Sequence, residues 1–155
     1  MGIKRGKSVS PSRSSVGLWF KLIIVFTLIA IGADAMLTYN KLTDSAVGCP
    51  AGGGCDIVKG SIYSEFFGIP VSLFGMGAFI AFLVLVFLAW HRDISNVLAF
   101  DWILILSGIG LLVAIYFVYI MLFVLEAICN WCFLSHFMLL FVFISAYQGR
   151  KESHR

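Results

Sequence analysis

The sequence predicts an all-α membrane protein: a four-transmembrane-helix bundle with one extracytoplasmic loop that contains a short amphipathic helix. Three observations predict it. The 155-residue chain is 61% apolar and 12% charged, with a mean hydropathy of +1.00, whereas a water-soluble domain carries about a quarter charged residues. Four apolar stretches, at about 17–37, 69–90, 97–125 and 128–147, each reach the roughly 20 residues that a helix needs to cross about 30 Å of hydrocarbon. The basic residues favour alternate connections, as they do when those connections stay in the cytoplasm.

Residues 1–15 are basic and serine-rich, without an apolar period, and are expected to be a flexible cytoplasmic terminus. Residues 16–148 form the four-helix domain, and 149–155 are expected to be a cytoplasmic tail. Span one carries Asp34 near its outer end. The simpler reading makes it an interfacial acid or turn cap; an acid this close to lipid is also a default functional candidate. Ala33-Asp34-Ala35 resembles a signal-peptide cleavage site. The apolar run before it is longer than a signal core, however, and cleavage would leave three spans, so span one is expected to be retained.

The connection at 38–68 is the one large polar piece. Pro50-Ala51-Gly52-Gly53-Gly54 cannot hold a helix, because glycine loses too much entropy on ordering, and is expected to act as a flexible hinge between Cys49 and Cys55. Ile57, Val58, Ile62, Phe66 and Phe67 then recur at near-helical spacing, with Lys59 and Glu65 between them. That pattern predicts a short amphipathic helix on the membrane surface. Gly68-Ile69-Pro70 opens span two, where a proline removes no intrahelical bond. Gly75 and Gly77 in span two, and Ser107, Gly108 and Gly110 in span three, are expected to be helix-packing residues. Asp101 reads as an interfacial acid. Trp19, Trp90, Trp102, Trp131 and Tyr147 sit near span ends, as interfacial aromatics do.

Lys4, Arg5, Lys7, Arg13, Lys21, Arg92, Arg150, Lys151 and Arg155 fall on one side of this arrangement, against Lys41 and Lys59 on the other. This asymmetry places both termini of a multi-pass cell-membrane protein in the cytoplasm and all four cysteines outside, where disulfides persist. The net charge of +3 therefore reports topology, and no nucleic-acid partner is inferred from it.

Cys49 and Cys55 lie in the polar loop, and Cys129-Asn130-Trp131-Cys132 opens span four. A Cys-x-x-Cys pair at a helix start is close enough to form and break a disulfide. The helix N-terminus favours the thiolate that attacks, while burial in apolar surroundings opposes it. The same spacing serves zinc sites and inert bridges, and four cysteines permit three pairings. Cys49 and Cys55 stand wider than the usual zinc-ligand spacing, and no metal is expected. The redox reading has electrons pass by thiol–disulfide exchange from a soluble thiol, through a mobile loop pair, to the Cys-x-x-Cys pair and on to a lipid-soluble two-electron carrier. A quinone is the natural candidate.

The ordered set resembles the vitamin K epoxide reductase family, particularly its prokaryotic members, from Val16 to Tyr147. It includes the four spans, the Cys49/Cys55 pair, and Ser61 six residues after the second loop cysteine. It also includes Phe67-Gly68-Ile69-Pro70-Val71-Ser72-Leu73-Phe74-Gly75 and Cys129-Asn130-Trp131-Cys132. The resemblance implies a membrane thiol–disulfide oxidoreductase that supports disulfide formation. Cys129 and Cys132 would be the quinone-facing centre, with Cys132 nearest a quinone of ubiquinone or menaquinone type. Cys49 and Cys55 would be the shuttle pair, and Ser61 would hold the loop or the active-site sulfur by hydrogen bonding. Many bacterial relatives carry a fused thioredoxin-like domain that this chain lacks, so the partner is expected to be a separate thioredoxin-like protein. His136 stands four residues after Cys132, where vertebrate enzymes have a tyrosine. It shares a helix face with that sulfur and is a candidate to hydrogen-bond the quinone or supply a proton, against a packing role. The competing functions are vitamin K epoxide reduction itself, and a non-enzymatic membrane protein with structural disulfides or a metal site.

The charge asymmetry makes a direct prediction. A membrane-impermeant thiol reagent added to reduced, right-side-out vesicles should label Cys49 or Cys55. Labelling of the loop cysteines only in inverted vesicles would overturn the orientation.

Overall fold

The computed structural model describes residues 13–45, 47–48 and 54–154. Helix α1 (Arg13–Leu42) is followed by α2 (Cys55–Gly60), a 3₁₀ turn (Ile62–Ser64) and a hairpin of β1 (Glu65–Phe66) with β2 (Ile69–Pro70). Then come α3 (Val71–Trp90), α4 (Asn96–Tyr119), a π turn (Ile120–Val124) and α5 (Asn130–Ser153). The segments Val16–Leu42, Val71–Trp90, Asn96–Val124 and Asn130–Ser153 are each long and apolar enough to cross a membrane. Their outward side chains include Leu28, Phe87, Leu112 and Phe123, which suits lipid contact. The protein is a multi-pass membrane protein, and the expected all-α bundle is present.

In the bundle α1 packs on α5 and α3, and α4 packs on the same two helices. The buried seam runs through Phe20, Ile23, Phe82, Val86, Phe100, Ile103 and Val142. At the end away from the cysteines, Phe20 stacks on Phe100 with ring centroids 4.4 Å apart. Gly149 of α5 leaves room for that ring, since a Cβ there would collide with it. Asp101 of α4 forms an ion pair with Arg150 of α5, so it is a helix-to-helix tie as well as a polar end group. This tie lies where a tail was expected from residue 149: α5 continues through it to Ser153.

Helix α1 likewise runs past Leu37 to Leu42. The Thr38 hydroxyl donates to the Asp34 carbonyl at 2.8 Å and shares a 2.7 Å hydrogen bond with Ser72 of α3. Gly110 meets Leu139 closely, with 3.1 Å left for a Cβ, whereas Gly77 faces nothing within 4 Å. The packing role expected of Gly77 is therefore not found within the bundle.

The amphipathic helix is shorter than its apolar spacing predicts. Phe67 and Gly68 take left-handed conformations, with φ of 52° and 76°, as the tight turn of a two-residue hairpin requires. The register pairs Glu65 with Pro70 and Phe66 with Ile69. Phe66 and Phe67 therefore lie on a hairpin and not on α2, with Phe66 edge-on to both Phe67 and Phe74. Of the expected flexible terminus at 1–15, residues 13–15 instead open α1; residues 1–12 and most of the expected hinge, 50–53, lie outside the described residues, as does Cys49.

Candidate redox site

The π turn after α4 redirects the chain. Leu125 N–H donates to Ile120 O and Ala127 N–H to Met121 O, both at 2.9 Å, and Glu126 takes a left-handed φ of 49°. This returns the chain so that Cys129 becomes the N-cap of α5. Its sulfur accepts the Cys132 N–H at 3.3 Å and the Cys132 thiol at 2.7 Å. Both cysteines are free. The hydrogen bond from the Cys132 thiol, with the backbone N–H groups of Cys132 and Trp131, holds the Cys129 thiol below its ordinary pKa against the opposing effect of burial. The arrangement favours a thiolate at Cys129, with the Cys132 thiol as its hydrogen-bond donor.

Cys55, the first residue of α2, is buried and disulfide-bonded. It shares one buried cluster with Met121 and Cys129, and Trp131 and Cys132 pack against that cluster. The two glycines flanking the loop cysteines seat the loop on the same segment. Gly48, at φ 73°, receives the Trp131 indole N–H on its carbonyl at 3.2 Å, and a Cβ there would stand 2.9 Å from the indole. A Cβ on Gly54 would stand 2.5 Å from Ile128 N. The sequence reading treated Gly54 as a source of chain freedom; in the structure it permits close backbone approach, and the described ends of the loop are docked.

Two lysines fasten this cap. Lys41 of α1 donates to Lys59 O at 2.7 Å and Ser64 Oγ at 2.9 Å, and pairs with Glu65 at 3.0 Å. Lys59 of α2 donates to Ser45 O at 3.1 Å and pairs with Asp44 at 3.2 Å and Asp56 at 3.3 Å. The hydrogen bond to Asp44, helped by Asp56, raises the Lys59 pKa. Ser61 ends α2 and donates to Val58 O at 2.7 Å. Its visible role is to hold the loop's own backbone.

Beneath the cap lies a cavity of about 340 Å³, reached by Cys55, Ser61, Cys129, Cys132 and His136 and walled largely by apolar side chains such as Phe79 and Val113. Its size falls within the roughly 300–1,000 Å³ usual for small-molecule sites. His136 sits one turn beyond Cys132, with Nδ1 hydrogen-bonded to the Cys132 carbonyl. A carbonyl only accepts, so Nδ1 carries the hydrogen and Nε2 of the neutral ring is left as an acceptor. Among the described residues, no three His, Cys, Asp or Glu side chains gather as a metal site would need.

Asp34 departs from its simpler reading. It is 3% exposed and lines this cavity, with Ser135 as a side-chain hydrogen-bond partner, so it is not an interfacial acid. Hydropathy located it near the end of a span; which helix faced it was not legible. Gly75 carried the one signal, because a Cβ there would stand 2.6 Å from Asp34 Oδ2.

The family model described as Vitamin K epoxide reductase family matches residues 21–147, a stretch that includes both cysteine pairs, the cap and most of every span.

The capping geometry predicts a thiolate titration. In a Cys49→Ala/Cys55→Ala background, the far-ultraviolet thiolate absorbance of the reduced protein should have a first midpoint below the roughly 8.5 of an ordinary thiol. Cys129→Ser should abolish that early step. Retention of the step in Cys129→Ser would place the stabilised thiolate elsewhere.

Proposed function

This chain belongs to the vitamin K epoxide reductase family, and on that premise we propose that it is a membrane thiol–disulfide oxidoreductase. It takes electrons from an extracytoplasmic dithiol on a separate thioredoxin-like protein, through Cys49/Cys55 and Cys129/Cys132, to a quinone. One observation carries this reading: Cys55 and Cys129 share a buried cluster at the mouth of an apolar cavity that Cys132 also lines.

The partner's dithiol reduces the loop disulfide. The Cys55 thiolate then attacks Sγ of Cys129 in the Cys129–Cys132 disulfide, which releases Cys132 and forms a Cys55–Cys129 mixed disulfide. Cys49 attacks Cys55, and Cys129 leaves as its thiolate. A low-pKa thiol is the better leaving group, so the N-cap bonds that stabilise the Cys129 anion help the electrons move forward.

A flat, apolar quinone ring suits the cavity's apolar walls and its few polar groups. When bound, a quinone accepts two electrons and two protons and so allows Cys129–Cys132 to close again. Ser61 keeps α2 and its cysteine in register over the cavity. His136, with Nδ1 tied to Cys132 O, offers Nε2 to the quinone-derived hydroxyl and orients it.

Two measurements test this scheme. Cys49→Ala or Cys55→Ala should abolish turnover with the protein partner but retain quinone-dependent oxidation of a small dithiol that reaches Cys129–Cys132 directly; equal loss with both donors would remove the shuttle role. His136→Leu should change the quinone KM or kcat about two- to tenfold, the worth of one hydrogen bond of roughly 0.5–1.5 kcal/mol, with the dithiol KM unchanged. Unaltered quinone kinetics in a folded variant would leave His136 as a packing residue.

A further inference from the structure

We propose that Asp34 donates a proton to the quinone as it is reduced; the role rests on the reading of this cavity as a quinone site. Three observations single the residue out. Its carboxyl is almost fully buried at a cavity wall shared with Cys132. Its Oδ2 has no hydrogen-bond partner among the described residues, although leaving a buried polar atom unpaired is costly. Gly75 of α3 preserves the space around that oxygen, since even a methyl group would stand 2.6 Å from it.

Among the described residues, no cation pairs with this acid. Thr38 bonds the Asp34 carbonyl and not its side chain. Ser135, from α5, is a neutral partner. Among the described residues, the two cationic side chains that reach the cavity, Lys41 and Lys59, are paired within the cap to Glu65, Asp44 and Asp56. His136 presents an acceptor, because its N–H is held by the Cys132 carbonyl. Asp34 instead lines the same cavity as Cys132, whose thiol donates to Cys129 Sγ.

Cys129 thiolate, Cys132 thiol, one quinone and one proton from water become the Cys129–Cys132 disulfide and one quinol. Two electrons leave the sulfurs as the S–S bond forms. Asp34, as the neutral acid, gives the proton on Oδ2 to one quinone oxygen as charge gathers there. The carboxylate left behind takes up the proton released by Cys132. The second oxygen receives the proton from water.

The test uses the full chain in detergent, with short-chain ubiquinone and menaquinone analogues as probes. Asp34→Asn keeps the shape and a donor N–H but cannot transfer a proton as a carboxylic acid does. It should leave stoichiometric reduction of Cys129–Cys132 by a small dithiol within about twofold of wild type, and slow re-formation of that disulfide by quinone about 10²-fold or more, as loss of a general acid does. A protonated-carboxyl band in the infrared difference spectrum on quinone binding should vanish in the same variant. Gly75→Ala crowds Oδ2 while keeping the acid, and should slow the same quinone step. It serves as the test if Asp34→Asn does not fold. Wild-type protein that fails to re-form the disulfide with either analogue would refute the quinone reading itself. Wild-type turnover matched within about threefold by Asp34→Asn would overturn the Asp34 role alone. Tyr63, in the 3₁₀ turn, also lines the cavity; a loss in Tyr63→Phe with none in Asp34→Asn would likewise overturn the Asp34 role and move the proton transfer to that phenol.

Discussion

The sulfur of Cys129 is the point on which the rest of this structure depends. It caps α5 by accepting the Cys132 N–H and thiol, and so satisfies a helix end that would otherwise leave a donor unpaired near lipid. The same bonds lower the pKa of that thiol and so favour it as a leaving group. A structural cap and a redox group are thus one atom. The π turn and the left-handed Glu126 exist to deliver it there, since a continuous α4 would carry the chain on past the start of α5.

Around that atom the polar groups of the cap are consumed locally. Lys41 and Lys59 look like exceptions to a charge bias when counted along the chain, yet Lys41 holds acceptors on α2, the 3₁₀ turn and β1, and Lys59 holds acceptors on α2 and in the turn after α1. The cap commits its lysines to its own acceptors, and the cavity walls below it are largely apolar, with Asp34 and His136 among the few polar side chains there. In that setting each one counts: a buried carboxyl or imidazole in an apolar site is expensive, and its retention calls for a chemical reason.

Much of this architecture was legible in the sequence because lipid imposes a simple rule. Each span needs a long apolar run, and hydropathy finds such runs. The cysteine spacing and its place at a span boundary made the redox pair legible as well. The unread parts depend on contacts between distant residues. The polar end of α5 is helical because Arg150 reaches Asp101 on α4. Phe66 and Phe67 follow helical spacing but fold into a hairpin, since the Phe67-Gly68 turn overrides the period. Gly54 reads as a source of freedom, whereas the missing side chains of Gly48 and Gly54 let the loop lie against Trp131 and Ile128. Asp34 was visible as an oddity, but its cavity was not, because a span's hydropathy reports depth and says nothing of which helix lies opposite.

The central claim is that Cys55 hands electrons to Cys129 across the cap. The most direct test is to isolate the Cys49→Ala protein after oxidation by quinone and map its disulfides by mass spectrometry. Without Cys49 to resolve it, a Cys55–Cys129 link should accumulate with Cys132 left as a free thiol, and Cys55→Ala should give no link between loop and helix. Absence of the link in Cys49→Ala, or a Cys49–Cys129 link of equal yield in Cys55→Ala, would contradict the account.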